Sequence, residues 1–480
     1  MKLHDVKGPW IGGSIQAPHS ANRVTLISPV TEQRLATAPD CDAADVAAAV
    51  RAARDALPAW AGLPSADRSG FLSELAARLE AADDLAELVT AENGSPITRS
   101  RSSNGLVPVR TYRYNACLAA DLVDDEVRDW QGQQTIVHGA PVSVVAAIVP
   151  WNAPQVLISN KLGPALAAGN TVVLKPSPET SLDAIRLAEL IADSGFPPGV
   201  VNFVTGGRAT GEALVAHPGV DLVSFTGSTT AGRSIAAQCG QFLRPVILEL
   251  GGKSAAVILE DADLDVFRAQ LIATCVPNTG QVCYSSTRLL APRSRYEEVI
   301  EATGDVLATA PLGDPSDPAT AFGPLVSEAQ RARVEGYIAS GVTDGARLVL
   351  GGGRPAGLPV GYYVEPTLFA DVDNNLRIAQ EEIFGPVLAV IPYKTEDEAV
   401  RIANTSAYGL SGSVFTSDIG HGTEIARRID SGAVNINGYR AAPNAPVGGH
   451  KASGLGQEGG PEGLLAYRKQ TSISLPMSAG

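Results

Sequence analysis

The sequence predicts an α/β protein with two doubly wound α/β domains and a small additional β element. Its 480 residues exceed what one small hydrophobic core can organise, so two or three domains are expected. From Val144 onward, short apolar segments alternate with amphipathic ones, which favours parallel sheets with helices on both faces and right-handed crossovers. Two further segments, 124–139 and 467–475, have exposed-strand character and lie outside this alternation.

The N-terminal region is predicted to be helical. Residues 44–58 and 66–92 carry apolar side chains at helical spacing, with Ala, Leu, Glu and Arg between them. The apolar stripe of the second helix consists of Phe71, Leu72, Leu75, Leu79, Leu85 and Leu88. We expect both helices to pack against a core.

The middle of the chain is predicted to form the first α/β domain. The expected strands are Val144–Val149, Thr171–Leu174, Val200–Val204, Leu222–Phe225 and Val246–Leu250. The expected helices lie within 154–168, 182–192 and 209–216 and run through 234–237.

The remainder is predicted to form a second α/β segment. Its expected strands are Ala255–Leu259, Arg288–Ala291, Leu348–Leu350, Val387–Val390, Gly412–Phe415 and Ala433–Ile436. Helices are expected at 294–309, 327–340, 396–403 and 420–430, and the Pro-, Gly- and Asp-rich stretch 311–323 reads as a surface loop.

Charge and cysteine usage exclude several classes of partner. A formal net charge of −14 argues against nucleic acid or an anionic membrane surface. The longest apolar stretch, Val142–Trp151, is about half the roughly 20 residues that span a bilayer, and the N-terminus lacks a signal-peptide core. The 5 cysteines are scattered and odd in number, which is typical of a reducing compartment. We therefore expect a cytoplasmic protein.

A thiol and a carboxylate stand out as candidate catalytic groups. Cys283 closes the run PNTGQVC at 277–283, and Glu249 opens the run ELGGKS at 249–254. A thiol can hold a carbonyl compound covalently, and a carboxylate can activate the water that releases it. The alternatives are a buried structural thiol and a strand-end carboxylate paired with Lys253 or another cation.

Two further motifs add an oxyanion donor and a phosphate-binding turn. Asn152, in the run PWNAP, carries an amide that can donate to an oxyanion; its alternative role is to cap the helix that follows. Gly227–Gly232 lies between a predicted strand and a predicted helix, as a dinucleotide-binding turn requires. The alternative is an ordinary tight turn at a helix N-terminus.

Taken in order, these motifs resemble those of the aldehyde dehydrogenase superfamily. The matching segments are PWN at 150–152, GNTVVLKPS at 169–177, FTGS at 225–228, ELGGK at 249–253, GQVC at 280–283, EEIFGPV at 381–387 and GGHKASG at 448–454. They cover nearly the whole chain in the family's order.

The resemblance implies a three-part subunit. A Rossmann-like nicotinamide-dinucleotide-binding domain would comprise 1–123 and 140–250, and the catalytic thiol domain would comprise 251–450. An oligomerisation element would comprise 124–139 and 460–480. The expected assembly is a homo-oligomer, either a dimer or a tetramer.

The resemblance also implies a reaction, the NAD(P)-dependent oxidation of an aldehyde to the carboxylic acid. Cys283 would form a thiohemiacetal and then a thioester, and Asn152 with the Cys283 backbone N–H would bind the oxyanion. Glu249 would assist hydrolysis; branches that use coenzyme A tend to lack this glutamate, so water is the expected acyl acceptor. Lys161 and Glu458 match positions that relay protons from the base.

The implied cofactor is NAD or NADP. Lys175 resembles the lysine that contacts the adenosine ribose, Glu382 the carboxylate that holds the nicotinamide ribose, and Phe384 the ring beside the nicotinamide. The other expected contacts are Trp151, Gly227, Ser228 and Gly232. Enzymes strict for NAD often carry a glutamate three positions after the lysine, but this chain has Pro178 there and Glu179 next, so the choice stays open.

Relatives that handle small aldehydes often carry aromatic side chains around the substrate entrance, and this chain differs from them at four such positions. The positions concerned are Ala153, Asn160, Pro277 and Val447. We therefore expect a wide tunnel that admits a bulky or medium-chain aldehyde.

Two other functional classes fit the sequence less well. A cysteine hydrolase without redox chemistry would need a histidine to activate its thiol, and none lies in these motifs. A catalytically silent protein should have lost Cys283, Glu249 or Asn152. His450 lies in a glycine-rich motif without other metal-ligand spacing, so we expect a loop residue and no metal site.

Overall fold

The computed structural model describes residues 4–440 and 442–476 as a mixed α/β chain. Its helices are α1 (Ala43–Ala61), α2 (Ser65–Glu80), α3 (Asp84–Asn93), α4 (Ile97–Ser100), α5 (Val107–Ala120), α6 (Pro154–Ala167), α7 (Leu182–Asp193), α8 (Arg208–Ala216), α9 (Thr229–Gln241), α10 (Leu264–Cys275), α11 (Tyr296–Thr309), α12 (Glu328–Thr343), α13 (Arg377–Gln380), α14 (Glu396–Asn404), α15 (Ile419–Ala426) and α16 (Gly460–Leu465). A π-helical segment, Arg101–Leu106, joins α4 to α5.

The strands follow the same order along the chain. They are β1 (Trp10–Ile11), β2 (Ser14–Ile15), β3 (Arg23–Ile27), β4 (Arg34–Pro39), β5 (Asp125–Trp130), β6 (Gln133–Pro141), β7 (Val144–Ile148), β8 (Thr171–Lys175), β9 (Val201–Phe203), β10 (Leu222–Thr226), β11 (Val246–Glu249), β12 (Ala255–Ile258), β13 (Arg288–Pro292), β14 (Arg347–Leu350), β15 (Thr367–Ala370), β16 (Val387–Tyr393), β17 (Tyr408–Gly409), β18 (Ser411–Phe415), β19 (Ala433–Ile436), β20 (His450–Lys451), β21 (Gly454–Leu455) and β22 (Arg468–Ser474).

The first sheet has the strand order β2-β1-β9-β8-β7-β10-β11-β21. Strands β9, β8, β7, β10 and β11 are parallel, so their carboxyl ends meet at one edge. In register, Ile148 lies opposite Lys175, and Thr226 lies opposite Glu249. This edge is where a doubly wound sheet binds its ligands.

Both faces of the first sheet are buried. Along β7, Val145 and Ala147 pack into the core that contains α2, α5 and α6, whereas Val144 and Ala146 pack into the core that contains α1 and α8. This two-sided burial explains why the strand is a continuous apolar run without polar alternation.

The second sheet has the order β14-β15-β16-β13-β12-β18-β19 and is parallel from β15 to β19. A third sheet, β22-β6-β5, is antiparallel and joins the two segments that were predicted to stand apart. The predicted fold class is confirmed. The predicted domain limits stay predictions, and their residues 1–3, 441 and 477–480 lie outside the described residues.

Several local predictions were wrong. The single helix predicted at 66–92 is two helices, because the chain turns at Ala81 and Asp83 before α3 begins. The first sheet is not wholly parallel, since β1 and β21 join it antiparallel from remote parts of the sequence. His450 lies in β20, where its Nδ1 is 2.8 Å from Asp430 Oδ1, and not in a loop.

No helix of the described residues is long and apolar enough to cross a membrane.

Candidate active site

The loop that presents Cys283 has an unusual backbone. Asn278, Thr279 and Gly280 adopt left-handed conformations in succession, with φ of 51°, 57° and 74°. A Cβ on Gly280 would lie 2.1 Å from the Gly385 carbonyl oxygen, so only glycine fits there. Gly323 N–H donates to Thr279 Oγ1 over 3.0 Å, which fixes the loop against the neighbouring segment.

The Cys283 thiol is half-buried in an acidic environment. Burial raises its pKa to about 12, and the carboxylates of Glu382 and Glu249 act in the same direction. The backbone N–H groups of Cys283 and Tyr284 act in the opposite direction. The free thiol therefore rests protonated near neutral pH, and it needs a nearby positive charge or a base to become a nucleophile.

Asn152 cross-links the loop after β7 to the cysteine loop. Its Nδ2 donates to the Gln281 carbonyl over 2.9 Å, and its backbone carbonyl accepts from Asn278 Nδ2 over 3.0 Å. The second Nδ2 hydrogen is available to a further acceptor. The alternative capping role is wrong, because α6 begins at Pro154 with Ala153 as its N-cap and no side-chain cap bond.

Glu249 ends strand β11 at the ligand-binding edge and is 7% exposed. Its Oε1 has no hydrogen-bond partner among the described residues. Burial and the charge of Glu458 raise its pKa well above 4.5, whereas Lys161 acts to lower it. The alternative pair between Glu249 and Lys253 is not formed. Lys253 is buried near Arg288, and burial together with the charge of Arg288 lowers the pKa of this lysine to about 7.

A buried polar network lies behind Glu249. Lys161 Nζ is 2.5 Å from Glu458 Oε1 and donates to Ser224 Oγ over 3.2 Å. The Tyr467 hydroxyl donates to the same Ser224 oxygen over 3.1 Å. The sequence predicted Lys161 and Glu458 but missed Ser224, whose only signal was a polar side chain in the middle of an apolar strand.

The glycine turn packs closely against the end of β10. A Cβ on Gly227 would lie 2.4 Å from the Phe225 ring, and one on Gly232 would lie 2.5 Å from Leu250. Ser228 caps α9 and accepts from the Ala231 N–H over 3.3 Å. The N-terminus of α9 thus lies beside the carboxyl ends of β10 and β11, where its free amides can bind phosphate.

Lys175 ends β8 on the same edge and is 5% exposed. Burial lowers its pKa to about 8, and the Glu179 carboxylate partly opposes this. The Nζ atom donates to the Pro176 carbonyl over 3.0 Å, and Ser177 Oγ donates to Glu179 Oε2 over 2.5 Å. A lysine and a carboxylate therefore both face this corner of the cleft.

Glu382 and Phe384 approach the cleft from the second α/β region. Gly252 N–H donates to Glu382 Oε1 over 3.1 Å, and burial raises the pKa of this carboxyl. Phe384 has φ of 63°, a strained value for a residue with a side chain, and its ring packs edge-on to Trp151 at 5.5 Å.

These groups fit a nicotinamide dinucleotide. Among the described residues the buried Thr226 Oγ1 has no partner, and it lies one residue before the glycine turn. A helix N-terminus suits a pyrophosphate, and Lys175 and Glu382 are polar groups that could contact other parts of a dinucleotide.

Near the cysteine, sequence reasoning missed three residues. Tyr284 and Tyr439 stack with ring centroids 3.6 Å apart and an interplanar angle of 1°, and Arg99 Nη2 donates to the Tyr284 hydroxyl over 2.8 Å.

Of the four predicted entrance positions, Ala153 and Asn160 are half-buried, Pro277 is buried and Val447 is exposed.

Comparison with known proteins agrees with this geometry. Residues 15–473 match the profile of the aldehyde dehydrogenase family. A geranial dehydrogenase from Castellaniella defragrans is 49% identical over 97% of this chain and 98% of its own length. A Mycobacterium tuberculosis aldehyde dehydrogenase complexed with NAD+ has a TM-score of 0.97 and 46% identity over the full length of both chains. A mutant aldehyde dehydrogenase C from Pseudomonas syringae, in complex with NAD+ and octanal, has a TM-score of 0.95 and 38% identity over 98% of both chains.

The family match spans nearly the whole chain, and the relatives are matched over nearly their whole length. The chain therefore belongs to the aldehyde dehydrogenase family, and it is an NAD(P)-dependent enzyme that oxidises an aldehyde.

Proposed function

We propose that Cys283, Glu249 and Asn152 carry out this oxidation and that water is the final acyl acceptor. The observation that carries the proposal is proximity: the Glu249 carboxylate lies close enough to the Cys283 thiol for its charge to raise the thiol pKa. A nucleophile and a base that share one cleft are what successive acylation and hydrolysis require.

In the first half-reaction, the Cys283 thiol releases its proton to solvent and the sulfur bonds to the aldehyde carbon. The oxygen becomes an oxyanion, which the Asn152 amide and the Cys283 backbone N–H stabilise. When bound, NAD(P)+ supplies a positive charge near the thiol and the acceptor for the hydride that leaves the adduct. A thioester on Cys283 remains.

In the second half-reaction, Glu249 takes a proton from water, and the resulting hydroxide attacks the thioester carbon. The carboxylic acid leaves, and the sulfur takes a proton from solvent. A carboxyl whose pKa is raised by burial is suited to this work near neutral pH. Lys161 and Glu458, 2.5 Å apart behind it, are the groups that would pass the proton onward.

We propose NAD as the preferred cofactor, with Lys175 at the adenosine ribose. Glu179 lies within electrostatic reach of Lys175, so its charge can oppose a 2′-phosphate even though it is one position later than the usual glutamate. The solved relatives with NAD+ support this preference.

We propose a bulky or medium-chain apolar aldehyde as the substrate. The relatives named for geranial or solved with octanal act on or bind aldehydes of this size. Ala153 and Val447 leave room where aromatic side chains often narrow the entrance, and both retain exposed surface.

We propose a cytoplasmic homo-oligomer, either a dimer or a tetramer, assembled through the third sheet. The β5–β6 hairpin exposes apolar side chains, with Val127 60% and Trp130 75% exposed. Free cysteines, including the exposed Cys117, support a reducing compartment.

The test is a screen of aldehydes of increasing size with NAD and with NADP, followed through the absorbance of the reduced cofactor. We expect octanal and geranial to exceed acetaldehyde in kcat/KM, and NAD to exceed NADP. The variant Cys283→Ala should abolish reduction. Ester hydrolysis without any cofactor reduction would favour a hydrolase and contradict the proposal.

A further inference from the structure

An aromatic stack adjoins the nucleophile and has no part in the chemistry above. Tyr284 follows Cys283 directly, whereas Tyr439 comes from the segment after β19. Their rings are parallel, with centroids 3.6 Å apart. The charge of a Cys283 thiolate would act on Tyr439, so this ring also lies near the sulfur.

Arg99 contacts the stack through a hydrogen bond to the Tyr284 phenol. Its Nη2 donates to the Tyr284 hydroxyl over 2.8 Å, and among the described residues it forms no ion pair with a carboxylate. The guanidinium thus fixes the phenol of the residue next to the nucleophile. Three separate chain segments converge on this arrangement.

The stack has accessible surface. Cys283, Tyr284, Tyr439 and Arg99 are all half-buried, which means that none is sealed inside a core. A pair of aromatic rings that served packing alone would be expected to be buried as completely as Tyr112, which is 1% exposed.

We propose that the Tyr284–Tyr439 stack is a flat aromatic wall beside the aldehyde and that it favours planar aldehydes, in which the carbonyl is conjugated to a double bond or an aryl ring. Arg99 is a positioning residue for this wall. The inference rests on the proposed function and deepens it, because it names the shape of the apolar substrate.

The physical basis is the geometry of contact with a flat ring. A planar conjugated chain can lie against an aromatic face over its whole length, whereas a saturated chain of the same carbon number touches it at fewer points. Aromatic contacts of this kind contribute about 0.5–1.5 kcal/mol beyond area burial. A free-energy difference of about 1.4 kcal/mol changes a ratio of kcat/KM values tenfold, so this contribution corresponds to about a 2- to 12-fold preference for the planar substrate.

The test uses pairs of substrates with one carbon skeleton: trans-2-octenal against octanal, and cinnamaldehyde against 3-phenylpropanal. The measured quantity is the ratio of kcat/KM within each pair, divided by the wild-type ratio. This double ratio cancels the different intrinsic reactivity of the two carbonyls.

We expect Tyr439→Leu to lower the ratio for the conjugated substrate about 2- to 12-fold, chiefly through KM, and Tyr439→Phe to keep it. Phe242→Leu, a change to a half-exposed ring at the end of α9, is the matched control and should leave the ratio at the wild-type value. Unchanged ratios in Tyr439→Leu would overturn the proposal.

Arg99 needs a separate readout. Arg99→Met should lower the conjugated-to-saturated ratio, and Arg99→Lys should restore part of it, because an ammonium can still donate to the phenol. A loss that falls equally on both substrates, with no rescue by lysine, would show a structural role only. If these variants still oxidise octanal, the proposed function is supported, and the conjugated-to-saturated ratio then tests the aromatic wall separately.

Discussion

Replacing Lys161 by Met should destabilise the enzyme and slow its deacylation. Lys161 and Glu458 form an ion pair with side chains 0% and 3% exposed, and Glu249 lies within range of both charges. Removing one partner of a buried pair leaves an uncompensated charge and costs about 3–5 kcal/mol. We expect the melting temperature to fall by several degrees.

The same change should shift the pH dependence of turnover. The Lys161 charge lowers the pKa of Glu249, so its loss lets burial and Glu458 raise that pKa further. The base is then ionised only at higher pH, and the ascending limb of the kcat profile should move to higher pH.

Two controls make the test specific. Arg186→Met removes a half-exposed cation that pairs with Asp84 and Glu189, and it should cost at most about 1 kcal/mol, because Arg186 and Asp84 are 31% and 41% exposed. The double variant Lys161→Met/Glu458→Met removes both buried charges and should recover most of the lost stability. A melting temperature for Lys161→Met equal to that of Arg186→Met, with an unshifted pH profile, would refute the reasoning.

Three further predictions follow from the charges of the cleft. Folding raises the pKa of Glu249, so the folded protein holds the proton of this carboxyl more tightly than the unfolded chain does. The resulting contribution to the free energy of unfolding is fully present below about pH 4.5, and it is lost as pH rises through the folded-state pKa. Glu249→Gln should therefore gain melting temperature relative to wild type as pH rises from about 5 to about 8; a constant difference would contradict this. The Glu382 carboxylate raises the pKa of Cys283, so Glu382→Gln should increase the thiolate fraction of this cysteine. We expect iodoacetamide to alkylate Cys283 faster in this variant, at fixed pH and without cofactor. A slower reaction would contradict the effect of Glu382 on the thiol. Glu179→Ala should improve kcat/KM for NADP relative to NAD by about tenfold, whereas an unchanged ratio would remove Glu179 from cofactor selection.

Much of the fold was readable from the sequence because its parallel strands are buried on both faces. Such strands appear as continuous apolar runs, as in Val144–Ile148 and Leu222–Thr226. The strand Thr367–Ala370 and the helix Leu264–Cys275 were not predicted, although both are apolar. Short apolar runs do not distinguish strand from helix without their neighbours.

The chemically distinctive residues of the cleft were predicted from motifs, and Glu249 and Glu382 lie within electrostatic range of Cys283. What the sequence could not supply was long-range packing. Ser224 and Tyr467 are 243 positions apart, and Arg99 and Tyr284 are 185 positions apart, so no local pattern links either pair. The antiparallel edges of the first sheet were missed for the same reason.

The central claim is that the acyl group passes through the Cys283 sulfur and leaves with the help of Glu249. Intact-mass spectrometry of Glu249→Gln, mixed with octanal and NAD, tests it directly. We predict that the protein gains one octanoyl group in place of one hydrogen and that fragmentation locates it on Cys283. Turnover without any trapped adduct, or an adduct on another residue, would contradict the account.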